Sequence, residues 1–280
     1  MAVNVRRLLL GKRLTTEDLP HQSISKKVGL AVFASDALSS TAYATEEILV
    51  ILSAAVGGGG AVAGATIFGL SIPIAIAIAI LLVIVTISYR QTIFAYPNGG
   101  GAYIVARDNL GELPAQIAGA ALLTDYILTV AVSISSGVAQ ITSVFPGLLP
   151  VRVEIAVVVI VLMTVINLRG VKESGQVFAV PTYFFLGMMF LTLGVGFIRY
   201  LSGTLPIVTG VTELEHEVIE PLGLFLILRA FSSGCTALTG IEAISNGITA
   251  FKQPRSQNAA KTLTVMSSIL ITLFLGITFI

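Results

Sequence analysis

Apolar residues run in stretches of about twenty or more along most of this 280-residue chain, separated by short polar or glycine-rich joints. A helix of about twenty apolar residues crosses about 30 Å of hydrocarbon. The pattern therefore predicts an all-α membrane protein with seven spans, at about 28–53, 66–89, 113–144, 153–168, 178–200, 221–250 and 262–280. The first joint is the Gly57–Gly60 run, and the third span closes at Pro146. Between the second and third spans lies YPNGGGAYIVARDNLG (96–111), read as a tight elbow against the core. Its three glycines do not make a phosphate cradle, because no strand precedes them and no GK[ST] follows. Residues 1–27 are polar and basic with one short apolar run and no cleavage site, which predicts an arm outside the membrane rather than a signal peptide. The membrane domain is then 28–280, and its last span reaches Ile280 with no basic stop, so the chain reads as cut short.

Composition strengthens the choice of solvent. Charged residues make up 11% of the chain, against about 25% in soluble domains, and the mean hydropathy is +0.94. The partner implied is a lipid bilayer. A net charge of +1 gives no electrostatic footprint for nucleic acid. The single cysteine, Cys235, excludes an internal disulfide and a cysteine metal site.

Charge also orients the chain. With the N-terminus inside, thirteen of the sixteen basic residues fall on the inner side, including Arg6, Arg7, Lys12, Arg13, Lys26 and Lys27 of the arm. The outer segment 201–220 carries Glu213, Glu215, Glu217 and Glu220. By the positive-inside rule the N-terminus is expected in the cytosol. His21 and His216 lie in polar segments and read as solvated side chains. There is no tryptophan, which leaves interfacial anchoring to tyrosines such as Tyr89, Tyr96, Tyr103 and Tyr200.

Three spans contain polar chemistry. The first carries ASDALSSTAYATEE (34–47), where Asp36, Ser39, Ser40 and Tyr43 lie three, four and seven positions apart and share one helix face. A carboxylate at mid-membrane costs about 2.5–3.5 kcal/mol on insertion scales, so Asp36 should face a cavity or a partner. A mere helix-packing seam of small residues does not need it. In the third span Asp125, Thr129, Ser133, Ser136 and Gln140 form one polar stripe on an otherwise apolar helix. Each aspartate should meet a cation, a hydrogen-bond donor or a proton. The sixth span reads LILRAFSSGCTALTGIEAISNG (226–247) and crowds Ser232, Ser233, Gly234, Thr236, Thr239 and Gly240 into nine positions. Glycine lowers the cost of leaving the helix, and freed carbonyls with nearby hydroxyls can hold a ligand. Interruptions expected in spans one and six, five apart, are the sequence signature of a secondary transporter built from repeats. Arg229 lies one turn from the sixth-span break and Glu242 just after it; each suits gating or folding.

These strings carry a family resemblance. YPNGGGAYIVARDNLG resembles the P-x-x-G-G-x-Y signature of amino acid–polyamine–organocation (APC) superfamily permeases, and Gly240-Ile241-Glu242 looks like their sixth-helix G-F-E-type motif. The resemblance implies a LeuT/APC-type fold with helices one and six discontinuous, this chain supplying the first five-helix repeat and the start of the second. Span one departs from amino acid permeases, whose G-x-G-I-type break binds the substrate carboxylate; here SDALSSTAYATEE is similar to the KimA-type potassium importers of bacteria. That resemblance implies a proton-coupled K⁺ importer of the bacterial plasma membrane working by alternating access, with K⁺ and H⁺ as transported ions and no cofactor. It implies contact with the ions for Asp36, Tyr43, Asp125, Thr129, Ser233, Thr236 and Thr239. A K⁺ site would centre on Asp36, Tyr43 and Asp125, with Ser39, Ser40, Gly234, Gly240 and Glu242 at the breaks and in coupling. Members of that branch carry a longer C-terminal half with a cytosolic domain implicated in cyclic dinucleotide control and in homodimer formation. The runner-up function is an amino acid permease of the same superfamily. An enzyme is not expected, since Ser35-Asp36 and Thr124-Asp125 do not match the Y-D and G-x-G-D contexts of intramembrane aspartyl proteases.

Overall fold

A computed structural model of the chain describes residues 23–55, 67–168, 171–205 and 221–280. Residues 1–22 of the basic arm, with His21, the Gly57–Gly60 run and the acidic segment with His216 lie outside the described residues, and helix begins two positions before the expected start at 28. Among the described residues the elements are helices: α1 (Lys26–Ser53), α2 (Ser71–Ala95), α3 (Gly101–Leu110), α4 (Glu112–Val144), α5 (Arg152–Asn167), α6 (Val171–Leu201), α7 (Leu224–Gly234), the one-turn α8 (Ala243–Asn246) and α9 (Arg255–Phe279). Short 3₁₀ turns cover Pro146–Val151, Cys235–Leu238 and Ile248–Ala250.

Six segments, 67–95, 112–144, 146–167, 175–201, 224–246 and 255–279, are long and apolar enough to cross a membrane by length and composition. They match spans two to seven of the sequence reading. The first span is a 28-residue helix whose polar middle keeps it out of that group. Along α4, α5 and α6 the large apolar side chains are exposed, Leu123, Ile127, Val158 and Phe184 among them. Such faces are stable only where the surrounding medium is as apolar as they are.

The elbow differs from a plain loop. Gly99, Gly100 and Gly101 hold φ of +80°, +96° and +43°, and α3 begins at the last of them. L-residues pay for that left-handed region and glycine does not. Gly111, at φ +97°, then joins α3 to α4.

Contacts divide the chain into two compact units. The first comprises residues up to 32, 91–181 and 242–262. Its buried residues include Ile24, Ala31, Ile93, Ile244, Ile248 and Phe251. Ile24 and Phe251 form an isolated parallel bridge, the Ile24 amide donating to the Ala250 carbonyl at 2.8 Å and the Lys252 amide to the Ile24 carbonyl at 3.1 Å. Gly29 is small enough for the Phe251 ring, which a Cβ there would meet at 2.5 Å.

The second unit comprises 33–90, 182–241 and 263–280. Its core gathers Ala44, Ile48 and Leu52 of α1, Ile74, Ala75 and Ile78 of α2, Ala230 of α7 and Phe274 of α9. Hydroxyl pairs fasten the same helices, Thr45 with Thr278 at 2.9 Å and Thr86 with Ser267 at 2.8 Å. In hydrocarbon such interhelical bonds replace the packing that water would otherwise drive.

Candidate functional site

The sixth span breaks as its glycines and hydroxyls predict. α7 ends at Gly234 and a 3₁₀ turn follows. Thr239 is then extended (φ −64°, ψ 139°) and Gly240 left-handed at φ +86°. Helix resumes only at Ala243. Turns over 239–242 replace the regular ladder, so backbone dipoles there are released from helical pairing.

The first span does not break. α1 is helical without interruption from Lys26 to Ser53, which corrects the expectation of a discontinuity around Asp36–Tyr43. The physical reason lies in where its hydroxyls go. Ser39 Oγ donates to the Asp36 carbonyl at 2.7 Å and Thr41 Oγ1 to the Ala37 carbonyl at 2.8 Å. These are back-bonds to the preceding turn, which a helix accommodates by bending slightly rather than unwinding. No glycine stands between Phe33 and Ala55 to lower the cost of leaving the helix.

The two segments nevertheless meet. A Cβ on Gly240 would lie 2.8 Å from the Ala37 amide nitrogen and 3.0 Å from the Asp36 carboxylate. The break thus passes directly over the acid, and only glycine fits both the φ and the space. One turn further along α1, Ser40 is fully buried and its Oγ lies 3.1 Å from the Tyr43 hydroxyl. Asp36, Ser39 and Tyr43 are half-buried on the face that helical spacing assigns to them.

On the other side of the break, Gly234 packs so tightly that a Cβ would come within 2.7 Å of Ile48 and Ile78. Ser233 Oγ donates to Glu47 Oε2 at 3.0 Å, and Thr236 Oγ1 to the Ser233 carbonyl at 2.6 Å. Asp36, Ser39, Ser40, Tyr43, Ser233, Gly234, Thr236, Thr239 and Gly240 therefore all belong to one compact unit. Glu47, absent from the expected site, joins them. Its signal was its place eleven positions, about three turns, beyond Asp36 on the same face.

Asp125, Thr129 and Glu242 belong to the other unit. On the unbroken α4 the spacing puts the residues of the predicted stripe on one side, with Asp125 and Gln140 exposed and Thr129, Ser133 and Ser136 half-buried. Glu242 is half-buried, and its carbonyl accepts from the Asn246 amide at 2.9 Å. Among the described residues no three His, Cys, Asp or Glu side chains cluster as for a metal centre. The oxygens gathered around the break are hydroxyls, carbonyls and the Asp36 and Glu47 carboxylates, hard donors that suit alkali or alkaline-earth cations better than a late transition metal.

Over residues 44–280 the sequence matches the amino acid permease family. The chain belongs to that family. It is a family of membrane transporters, not enzymes, and with it comes the all-α, LeuT/APC-type fold. The permease match begins just after the Asp36–Tyr43 string, the part of the first span that departs from amino acid permeases. The chain is also 48% identical over 275 residues to the potassium transporter KimA of Bacillus subtilis (strain 168). That alignment covers 98% of this chain and 44% of the relative, so the chain spans less than half the length of the transporter it matches.

Proposed function

We propose that this chain is the membrane-embedded part of a proton-coupled potassium importer that works by alternating access. The observation that carries the reading is the left-handed turn at Gly240 laid against the Asp36 carboxylate. An amino acid permease binds the carboxylate of its substrate with amides at a first-span break; here that place is an unbroken helix carrying Asp36, and an acid there repels such a substrate and attracts a cation. A partly dehydrated K⁺ needs oxygens in place of water. Asp36, Tyr43, Ser233, Thr236 and Thr239 supply them within one unit, while Asp125 and Thr129, on α4 of the other unit, are given ion contact by the family resemblance alone. The 48% identity to the potassium transporter KimA supports the choice of cargo. By the same resemblance Asp36 and Asp125 contact K⁺ or couple it to protons, Glu242 belongs to the coupling set, and no cofactor is needed. The N-terminus lies in the cytosol of a bacterial plasma membrane, and the full-length protein forms a homodimer.

The test is growth and tracer uptake at micromolar external K⁺ in a bacterium without its own potassium uptake, using the protein with its native C-terminal continuation. Wild type should rescue growth, and Asp36→Asn should abolish it at equal expression. Rescue by Asp36→Asn would remove the site assignment. Failure of well-expressed wild type, together with thermal stabilisation by an amino acid and not by K⁺, would move the cargo to amino acids, in line with the family as a whole.

A further inference from the structure

The elbow and the short helix after the sixth-span break lie in the same unit, and one side chain joins them. Asn246 is the last residue of α8. Its carbonyl accepts from the Gly100 amide at 3.4 Å, and its Nδ2 donates to the Tyr126 hydroxyl of α4 at 2.8 Å. Its side-chain carbonyl is buried against Gly101, where a Cβ would collide with Oδ1 and lie 3.0 Å from Cγ. A Cβ on Gly99 would come 2.8 Å from the Asn246 carbonyl oxygen. The left-handed glycines of the elbow thus do two things at once. They allow the turn, and they leave the space that Asn246 fills. Asn109 Nδ2 closes the far end by donating to the Tyr96 hydroxyl at 3.0 Å, so α3 is tied back to the start of the elbow.

We propose that Asn246 is a positioning residue that clamps the glycine elbow and α4 to the stub of the broken sixth span, so that the three shift as one body during transport. It touches no cargo. Its role is to transmit the movement of the stub to the 96–101 turn, which a hydrophobic contact of the same size would leave free to slide. The stub is held at two points, its main-chain carbonyl by the Gly100 amide and the Asn246 side chain by the Tyr126 phenol, and a directional hydrogen bond fixes one geometry where apolar packing tolerates several. The inference rests on the alternating-access reading and not on the identity of the cargo.

The experiment uses the full-length protein reconstituted in vesicles of bacterial polar lipid, with hydrogen exchange over 96–104 and K⁺ tracer uptake over a range of concentrations. Asn246→Ala should raise elbow exchange about tenfold or more and lower the maximal rate at least about fivefold, with the apparent K⁺ affinity within about twofold of wild type. Tyr126→Phe, which removes the side chain's hydrogen bond but leaves its packing on Gly101, should move the same readouts in the same direction by less. Gly101→Ala supplies the second line. If the clamp is real, the pair Gly101→Ala with Asn246→Ala shows elbow exchange no faster and transport no slower than Gly101→Ala alone, because the collision is gone. Additive losses in that pair, unchanged elbow exchange in Asn246→Ala, or a defect confined to K⁺ affinity would each overturn the proposal. Should wild type carry no K⁺, the cargo reading fails while the exchange measurements still decide the clamp.

Discussion

The first and sixth spans are both polar in the middle, yet one stays helical and the other does not. α1 runs 28 residues without interruption through Asp36, Ser39, Ser40, Thr41 and Tyr43. The sixth span stops at Gly234, turns over at Thr239 and Gly240, and restarts at Ala243. Hydroxyls are abundant in both, so hydroxyls are not what breaks a membrane helix. In α1 they fold back on carbonyls one turn earlier and cost the ladder little. In the sixth span glycine makes the left-handed turn accessible, and the neighbouring carboxylate leaves no room for anything larger.

That comparison can be broken at several points. The largest effect is expected from Gly240→Ala. It combines left-handed strain of about 1–2 kcal/mol with a backbone collision at Ala37, so stability should fall by about 3 kcal/mol and transport should be lost. A well-folded, active variant would mean that the turn does not hold in the working protein. Gly234→Ala presses on flexible isoleucine ends instead, and a loss of about 1–3 kcal/mol in thermal or denaturant stability is expected with transport reduced rather than abolished. Ser233→Ala removes one partly exposed hydrogen bond to Glu47; a loss of about 0.5–1 kcal/mol is expected, readable as a small downward shift of the melting temperature. Ser39→Ala should change stability by no more than about 0.5 kcal/mol, because its bond duplicates one the helix already makes. A large loss there would show that α1 depends on its hydroxyls after all.

Much of this architecture is legible in the sequence. Spans two to seven follow from apolar run length, which membrane thickness fixes, and the sixth-span break follows from glycines beside hydroxyls. The break expected in span one is not there, because side-chain hydroxyls can satisfy a carbonyl without freeing it, and the pattern alone does not distinguish the two. The elbow was legible from Gly99–Gly101, but α3 within it was not, since a ten-residue helix with Arg107, Asp108 and Asn109 at its end reads as loop. Asn246 gave no signal. A lone asparagine after a break has no period, and its role comes from Tyr126, 120 positions away. Asp36 was found by its cost in lipid, but its closeness to Gly240 is a tertiary fact.

The bridge between Ile24 and Phe251 has a consequence in time. The two residues are 227 positions apart. At a synthesis rate of about 5–20 residues per second, the partner strand emerges roughly 11–45 s after the segment it must hold. The entry to α1 therefore reaches the membrane untied and waits for five further spans to be threaded. The polar middle of α1 meets lipid in that interval without Gly240 beside Asp36, so the demand for an insertase or a chaperone falls on the first helix of this protein rather than on its more apolar successors.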